Sequence, residues 1–443
     1  MNNLILVKNG KKFLTISFCF VVLFLVTSCA SAPKSAQEVL AKIPYIDSMK
    51  QIEGDTLFAE TWELWFSQPI DHKNPNSPHF PQKVVYNHKD FSKPMVVVIE
   101  GYTLFSPLAD EPTKLLDANQ ITIEHRFFDR SRPKDSIPWN YLNTYQAATD
   151  QHRIIEAFKP FYKNKWVSTG ISKGGQATIS HRYYYPNDVD VSIPYVAPLA
   201  FSSEDKRFYN FLENVGPEEC RERIKNFQHE LFVRKEKLMP LLEDYAQRHN
   251  YTFSIGLNRA YDLNVFEYGF AFWQWGGVSC EQIPQPSVSD SAMFYSWVRV
   301  APFDFFEDSG IENVRPFFYQ AMTEIGMYGY NIEAWREFVS DTTNITFDFT
   351  MPTGIYPTFN PEHSKKVHEW IQKNGNNMLY IYGEYDPWTA TAVETGEETN
   401  GRRFINPKGN HSTRIKSFPK ETRDSIYSTL EEWLGKNAVS QKF

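Results

Sequence analysis

A short apolar run that breaks into a glycine-rich turn constrains this chain more than any other stretch. Residues 166–169 are rich in β-branched and aromatic side chains, which predicts a buried strand, and residues 176–185 are suited to a helix. Between them the sequence Gly-Ile-Ser-Lys-Gly at 170–174 must double the chain back on itself. A buried strand that runs directly into a helix favours an α/β fold with a mostly parallel sheet.

The turn places Ser172 at the hinge between that strand and that helix. A hinge of this kind holds its serine in strained backbone geometry, and Gly170 and Gly174 lack the Cβ atoms that would collide there. The start of the helix then presents free amides to any negative charge that forms beside the hydroxyl. This pattern predicts a nucleophile elbow, although a serine in an ordinary tight turn is the alternative for Ser172 alone.

A serine nucleophile needs a histidine to take its proton and an acid to orient that histidine. In α/β-hydrolases these residues follow one another in the order Ser, acid, His. Asp386 comes just after a predicted strand at 378–382, and His411 is the only histidine beyond it. We therefore expect a catalytic triad of Ser172, Asp386 and His411.

The two partners have alternatives of their own. Asp386 precedes a proline and suits a turn, Glu384 is a rival acid two residues earlier, and His411 suits a surface loop. The oxyanion hole is expected to use the backbone N–H of Lys173 and one from Gly101 or Tyr102, which follow the apolar run at 95–99. We assign the Lys173 side chain no role at this stage.

The rest of the chain fits an α/β-hydrolase fold with an inserted helical cap. Residues 45–202 form the first part of the body, residues 203–350 the cap and residues 351–443 the second part. Strand patterns occur in both parts of the body, at 62–70, 84–88, 94–100, 121–127, 191–196, 378–382 and 402–406, with a helix at 141–161. The cap is predicted to be helical at 218–250, 265–275, 292–300, 317–328 and 332–339.

The first residues have the features of an export signal. Three lysines precede an apolar run at 13–26, which ends in Val-Thr-Ser-Cys and resembles a bacterial lipobox. Residues 1–28 are therefore predicted to be a lipoprotein signal peptide, with the lipid on Cys29 and a tether over residues 29–44. We expect an envelope protein anchored in the outer membrane; an ordinary cleaved signal is the alternative.

Charge and cysteine content limit the partners. Residues 1–28 hold three lysines and no acidic residue, so 43 basic and 53 acidic residues remain, a formal charge of −10. Nucleic acid is an unsuitable partner for such a chain. Cys220 and Cys280 are expected to form a disulfide in an oxidising compartment. No Cys/His cluster has metal-ligand spacing, so we expect neither a metal nor another cofactor.

Several longer motifs carry a family resemblance. They are Glu-Gly-Tyr at 100–102, Glu-His-Arg-Phe-Phe at 124–128 with Ser-Arg-Pro at 131–133, Gly-Ile-Ser-Lys-Gly-Gly at 170–175 and Gly-Glu-Tyr-Asp-Pro-Trp at 383–388. Together they resemble the secreted prolyl tri- and tetrapeptidyl aminopeptidases. The block at 124–128 and Gln-Ala-Met-Thr-Glu-Ile-Gly at 320–326 are also similar to the lysosomal Pro-X carboxypeptidase and dipeptidyl peptidase II group. The resemblance implies a serine peptidase that removes short peptides, most simply tripeptides, from a free N-terminus of an oligopeptide.

Such an enzyme must hold a substrate ammonium group at a fixed distance from the nucleophile, and a carboxylate does this best. Glu324 is the first choice and Glu204 and Asp205 are the second; a salt bridge between cap and body is the alternative for Glu324. Trp273 and Tyr328 are candidates for an apolar pocket suited to proline, with core packing as their alternative.

Two other functions remain open from the sequence. One is a carboxylic-ester hydrolase on the same fold, and the other is a non-catalytic surface lipoprotein that binds peptide or glycan. The arginines at 126, 130 and 132 are expected to brace the sheet edge.

Overall fold

The body of the molecule is built on one twisted sheet. The computed structural model describes residues 35–104, 106–339, 341–343 and 345–443. Within them the sheet comprises β1 (Ile46–Gln51), β2 (Glu60–Pro69), β3 (His79–His88), β4 (Met95–Ile99), β5 (Asn119–Ile123), β6 (Trp166–Ile171), β7 (Val191–Tyr195), β8 (Leu379–Gly383) and β9 (Arg402–Asn406).

The strand order is β1-β2-β3-β5-β4-β6-β7-β8-β9. The first three strands and β5 pair antiparallel, and every pairing from β5 through β4 to β9 is parallel. The central strand β4 is buried along its whole length, as its β-branched run predicts. The predicted α/β-hydrolase architecture is confirmed.

Helices cover both faces of this sheet. The chain forms α1 (Ala36–Leu40), α2 (Glu111–Leu116), α3 (Thr144–Phe158), α4 (Lys173–Tyr184), α5 (Arg207–Asn214), α6 (Glu218–Val233), α7 (Lys235–His249), α8 (Leu257–Trp275), α9 (Asp290–Val300), α10 (Asp308–Gln320), α11 (Glu362–Asn374) and α12 (Lys420–Leu434). Val97 packs with α1 and α3 on one face, and its neighbours Val96 and Val98 pack with α2 and α12 on the other. Among the described residues, no helix is long and apolar enough to cross a membrane.

A helical cap is inserted between β7 and β8. In the described part of that segment the regular structure is helical, and its buried aromatic side chains form one continuous core with α5, α6, α8, α9 and α10. A disulfide joins Cys220 of α6 to Cys280, which lies just beyond α8. The cross-link spans 60 residues and therefore restricts the unfolded cap strongly.

Four predicted cap helices have different bounds. The helix predicted at 265–275 begins earlier, at Leu257. The helix predicted at 218–250 is two helices, because Arg234 leaves helical geometry at φ −93° and ψ 10°. The helix predicted at 317–328 ends with a π-helical turn, Ala321–Ile325, since Gly326 has φ +79° and cannot continue it. Residues 332–339 contain only a short 3₁₀ turn, Glu333–Trp335.

The predicted tether at 29–44 is wrong for residues 35–44. Ser35 caps α1 by accepting a hydrogen bond from the Glu38 amide, and Ala36, Val39 and Leu40 are buried against the sheet. The folded body therefore begins before residue 45. Residues 1–34, with the predicted signal peptide and Cys29, lie outside the described residues.

Candidate active site

Ser172 lies at the junction of β6 and α4 in a strained conformation. Its φ is +59° and its ψ is −122°, a region that residues with a Cβ rarely adopt. The surrounding backbone holds it there, because the Ser172 amide donates to the carbonyl of Tyr195 at 2.9 Å. A Cβ on Gly170 would lie 2.3 Å from the carbonyl oxygen of Gly174. A Cβ on Gly174 would lie 2.5 Å from the carbonyl oxygen of Ile99, so close backbone packing requires glycine at both position 170 and position 174.

Asp386 and His411 meet at the same edge of the sheet. The Nδ1 atom of His411 donates to Oδ2 of Asp386 at 2.7 Å, and both side chains are buried. The other carboxylate oxygen of Asp386 accepts from the Trp388 amide at 3.1 Å. These contacts hold the histidine ring with Nε2 as its remaining nitrogen. Glu384 is exposed and accepts instead from the Lys408 amide at 2.7 Å, so it does not orient His411.

The loop that carries His411 is fastened to the cap. The His411 amide donates to the carbonyl of Gln274 at 2.9 Å, and Nδ2 of Asn410 donates to the carbonyl of Trp275 at 2.7 Å. Both acceptors lie in the last turn of α8. The half-exposed Trp275 ring also stands edge-on to the His411 ring, 5.7 Å between centroids. The position of the histidine thus depends on a cap helix.

Gly101 and Tyr102 follow β4 and lie against the start of α4. A Cβ on Gly101 would lie 2.4 Å from the Gly174 amide nitrogen, so the two backbones are in direct contact. Burial raises the pKa of the Tyr102 hydroxyl, and the nearby Ser172 side chain opposes this rise. As the first helical residue, Lys173 has an amide N–H without an intrahelical acceptor. The turn therefore brings Ser172, the Lys173 amide and the backbone of residues 101–102 close together.

The three acidic candidates differ in their surroundings. Glu324 is half-buried, and its two carboxylate oxygens accept from the Thr144 hydroxyl at 2.7 Å and the Thr144 amide at 2.8 Å. Asp205 is occupied by Arg207, whose guanidinium lies 2.7 Å away, and by the Phe201 amide. Glu204 is exposed and accepts from the Tyr209 hydroxyl. Of the three carboxylates, only Glu324 is partly buried and still has oxygen lone pairs that can accept a hydrogen bond from a ligand.

The two pocket candidates lie in different places. Tyr328 is buried, and its ring stacks on Phe270 at 3.7 Å and meets Trp388 edge-on at 5.5 Å between ring centroids. Its hydroxyl donates to Glu267 at 2.9 Å, and burial raises the pKa of that acid to about 7. Trp273 instead lines a cap cavity of about 190 Å³. Tyr328 therefore fits the core-packing alternative.

Of the three arginines expected to brace the sheet edge, Arg126 forms a buried ion pair. Arg126 is fully buried, and its guanidinium binds Asp150 through two hydrogen bonds of 2.6 and 2.8 Å. It also donates to the carbonyls of Pro69, Ile70 and Tyr141. Arg126 therefore joins β2, β5 and α3 and takes no part in the site.

One group of side chains has the geometry to bind a metal ion. His152, Glu156 and Asp188 present ligand atoms within 4.8 Å of one another. The Lys159 ammonium already pairs with Glu156 at 2.8 Å and with Asp188 at 3.6 Å. The group lies at the far end of α4 from Ser172, so it is separate from the triad.

Sequence reasoning missed several contacts of the site. The sequence assigns no role to the Lys173 side chain, to the hydrogen bond from Asn410 to Trp275 or to the buried acid Glu267. Glu267 is an isolated acid in the apolar stretch 265–273. The position of a single acid among apolar residues is the sequence signal that identifies Glu267 as a residue to consider. Nothing in the local sequence identifies the bond from Asn410, since its acceptor lies 135 residues away.

The sheet order, the strained serine and the buried His–Asp pair define a serine hydrolase of the α/β-hydrolase class. The model of a peptidase family described as PS-10 peptidase S37 matches residues 32–441. The chain belongs to this family and is a serine peptidase.

Two curated relatives are similar in sequence. The chain is 32% identical over 383 residues to prolyl tri/tetrapeptidyl aminopeptidase of Streptomyces mobaraensis, covering 84% of this chain and 80% of the relative. It is 25% identical over 190 residues to probable serine protease EDA2 of Arabidopsis thaliana, covering 37% of this chain and 38% of that one.

Solved structures are more distant. Epoxide hydrolase A from Mycobacterium thermoresistibile has a TM-score of 0.38 at 11% identity, with 83% of this chain and 98% of that chain covered. Proline iminopeptidase from Mycobacterium smegmatis has a TM-score of 0.33 at 12% identity, with 83% and 98% covered. The fold assignment rests on the strand order described above.

We predict that Gly276→Ala lowers kcat/KM for peptide hydrolysis about 2- to 10-fold, the equivalent of one hydrogen bond. Gly276 has φ +59°, and a Cβ there would lie 2.5 Å from Nδ2 of Asn410, which displaces the residue before His411. Gly277→Ala is the matched control, because a Cβ at Gly277 meets nothing within 4 Å. Steady-state kinetics on both folded variants measures the difference. Equal kcat/KM values for the two variants would contradict the role of the bond from Asn410 to Trp275 in positioning His411.

Proposed function

We propose that Ser172 is the nucleophile, His411 the general base and Asp386 the residue that orients His411. The 2.7 Å bond from His411 Nδ1 to Asp386 carries this proposal, because it leaves Nε2 as the nitrogen that accepts the serine proton. Ser172 Oγ attacks the scissile carbonyl while its proton passes to Nε2. The protonated imidazole then gives that proton to the leaving amine, and water releases the acyl group by the reverse sequence.

The negative charge on the carbonyl oxygen is stabilised by donors around Ser172. The Lys173 amide and an amide of the Gly101–Tyr102 segment form the oxyanion hole. Backbone packing fixes the start of α4, so the Lys173 amide needs little reorganisation during the reaction.

The substrate is an oligopeptide with a free N-terminus, from which a tri- or tetrapeptide is released. Similarity to the aminopeptidase of Streptomyces mobaraensis over most of both chains supports this substrate class. Family membership does not favour the ester hydrolase or the non-catalytic binding protein. Proline preference at the cleavage site belongs to the same proposal, with Trp273 as a cap residue beside Tyr385, 5.3 Å between ring centroids.

Glu324 binds the substrate ammonium group. Thr144 uses one hydrogen-bonding position on each carboxylate oxygen, which leaves the others for a second donor. The charge of Glu324 acts on Lys173, the residue after the nucleophile: burial holds the pKa of Lys173 well below its usual range, and the carboxylate opposes this. Thr144, which holds Glu324, lines the same small cavity as Lys173, the residue after Ser172. In this proposal the spacing between Glu324 and Ser172 sets the length of the released peptide.

The chain is anchored to the outer membrane through a lipid on Cys29. The lysines, the apolar run and the Val-Thr-Ser-Cys sequence at 26–29 support this location. The anchor affects where peptides are cleaved and leaves the chemistry of the site unchanged.

We predict that wild-type protein reacts with a fluorophosphonate probe and that Ser172→Ala does not. The substitution removes the only atom to which the probe would bind, and hydrolysis of a free tripeptide-p-nitroanilide falls by at least about 10³-fold. Gel fluorescence and release of nitroaniline measure the two effects. Labelling of Ser172→Ala at the wild-type level would exclude Ser172 as the nucleophile.

We predict that Glu324→Gln raises KM for peptides with a free N-terminus about 10- to 100-fold, since a charge-assisted bond is lost. The amide keeps an oxygen for Thr144, so the fold is preserved. Cleavage of an N-acetylated peptide, already slow in the wild type, stays unchanged. Glu204→Gln is the matched control: an increase in KM for that variant alone would place the amine site at Glu204.

We predict that Cys29→Ala moves the protein from the membrane fraction to the soluble fraction of the cell envelope. The thiol is the attachment point of the lipid in this proposal. Ultracentrifugation followed by immunoblotting measures the distribution, with Cys19→Ala as the control within the apolar run. A variant that stays in the membrane fraction would contradict the lipid anchor.

A further inference from the structure

The Lys173 side chain is buried in a way that lysines rarely are. Only 3% of the residue is exposed, and Nζ donates to the carbonyl oxygen of Gly101 at 2.7 Å. The amine also lies against the rings of Phe128 and Tyr102, 5.2 and 5.8 Å from their centroids. Among the described residues no carboxylate lies within ion-pair distance of it. Burying an amine against a neutral partner costs free energy, so the contact requires an explanation beyond stability.

The acceptor of this bond belongs to the segment that follows β4. Gly101 already touches the backbone of α4, because a Cβ there would lie 2.6 Å from the carbonyl carbon of Lys173. The carbonyl oxygen of the next residue, Tyr102, accepts a hydrogen bond from the His125 amide at 3.1 Å. The 101–102 segment thus has contacts to both α4 and the end of β5.

Without the Nζ bond, the carbonyl of Gly101 would be free to rotate. Rotation of that peptide plane also turns the Tyr102 amide, because the two groups share one planar unit. That amide is a proposed donor of the oxyanion hole. The lysine therefore acts on the reacting atoms through the orientation of a single peptide group.

We propose that Lys173 is a positioning residue: its side chain holds the Gly101–Tyr102 peptide plane so that the oxyanion hole is formed before substrate binds. The inference rests on the proposed role of Ser172. It assigns to the Lys173 side chain a function that its backbone amide does not have. A preformed donor costs no reorganisation in the transition state, so its effect falls on kcat and leaves KM nearly unchanged.

The test compares Lys173→Met, which keeps the apolar length and loses the donor, with Lys173→Gln, which keeps an N–H donor. Lys165→Met is the control, since Lys165 is a partly exposed lysine paired with Asp190. Each variant is titrated with a fluorophosphonate probe, and kcat is expressed per reactive site. For Lys173→Met we expect kcat to fall roughly 10- to 100-fold, less than the loss of an oxyanion donor can cost. Lys173→Gln recovers part of that loss.

A second readout follows transition-state binding directly. The inhibition constant of a peptide aldehyde, whose hemiacetal mimics the tetrahedral intermediate, is expected to rise in parallel with the fall in kcat. If Lys173→Met lowers only the number of titrated sites, with kcat per site and aldehyde binding unchanged, the lysine is structural and the inference is wrong. If wild-type protein fails to react with the probe while Ser172→Ala is equally inert, the proposed nucleophile fails instead.

Discussion

Two backbone segments, the end of β4 and the start of α4, meet without side chains between them at the carboxyl edge of the sheet, and the geometry of the site depends on that contact. A Cβ on Gly174 would lie 2.5 Å from the Ile99 carbonyl oxygen, and one on Gly101 would lie 2.4 Å from the Gly174 nitrogen. The start of α4 is therefore pressed against the end of β4. The strain at Ser172 persists because this packing leaves the turn no room to relax.

The cap contributes to the geometry of the candidate site. The last turn of α8 holds the loop of the proposed base through the bonds from His411 to Gln274 and from Asn410 to Trp275. The same helix contributes Trp273 to a cavity in the cap. Helix α8 thus connects the loop of His411 to the aromatic core of the cap, and this core also includes Trp388.

Buried charged side chains have more complete hydrogen-bond partners in the body of the fold than around the candidate site. Arg126 is fully compensated by Asp150 and by three carbonyls, as expected for a charge that holds a sheet together. Lys173 has a single neutral acceptor, and Glu267 is held by two tyrosine hydroxyls. Incomplete compensation of this kind is typical of functional regions, where stability is exchanged for a fixed arrangement of donors.

The sequence by itself determined the architecture and the order of the proposed triad. Buried strands such as residues 95–99 and a turn such as residues 170–174 are local patterns, so composition and glycine spacing identify them without knowledge of distant contacts. The same locality explains the failures. The sequence predicts a tether at residues 36–40 because their burial depends on a sheet surface formed by residues much later in the chain. The partner of Lys173 is 72 residues away and the partner of Glu324 is 180 residues away. Only the tertiary structure decided these pairings, because a hydrogen bond depends on distance in space and leaves no periodic trace in the sequence.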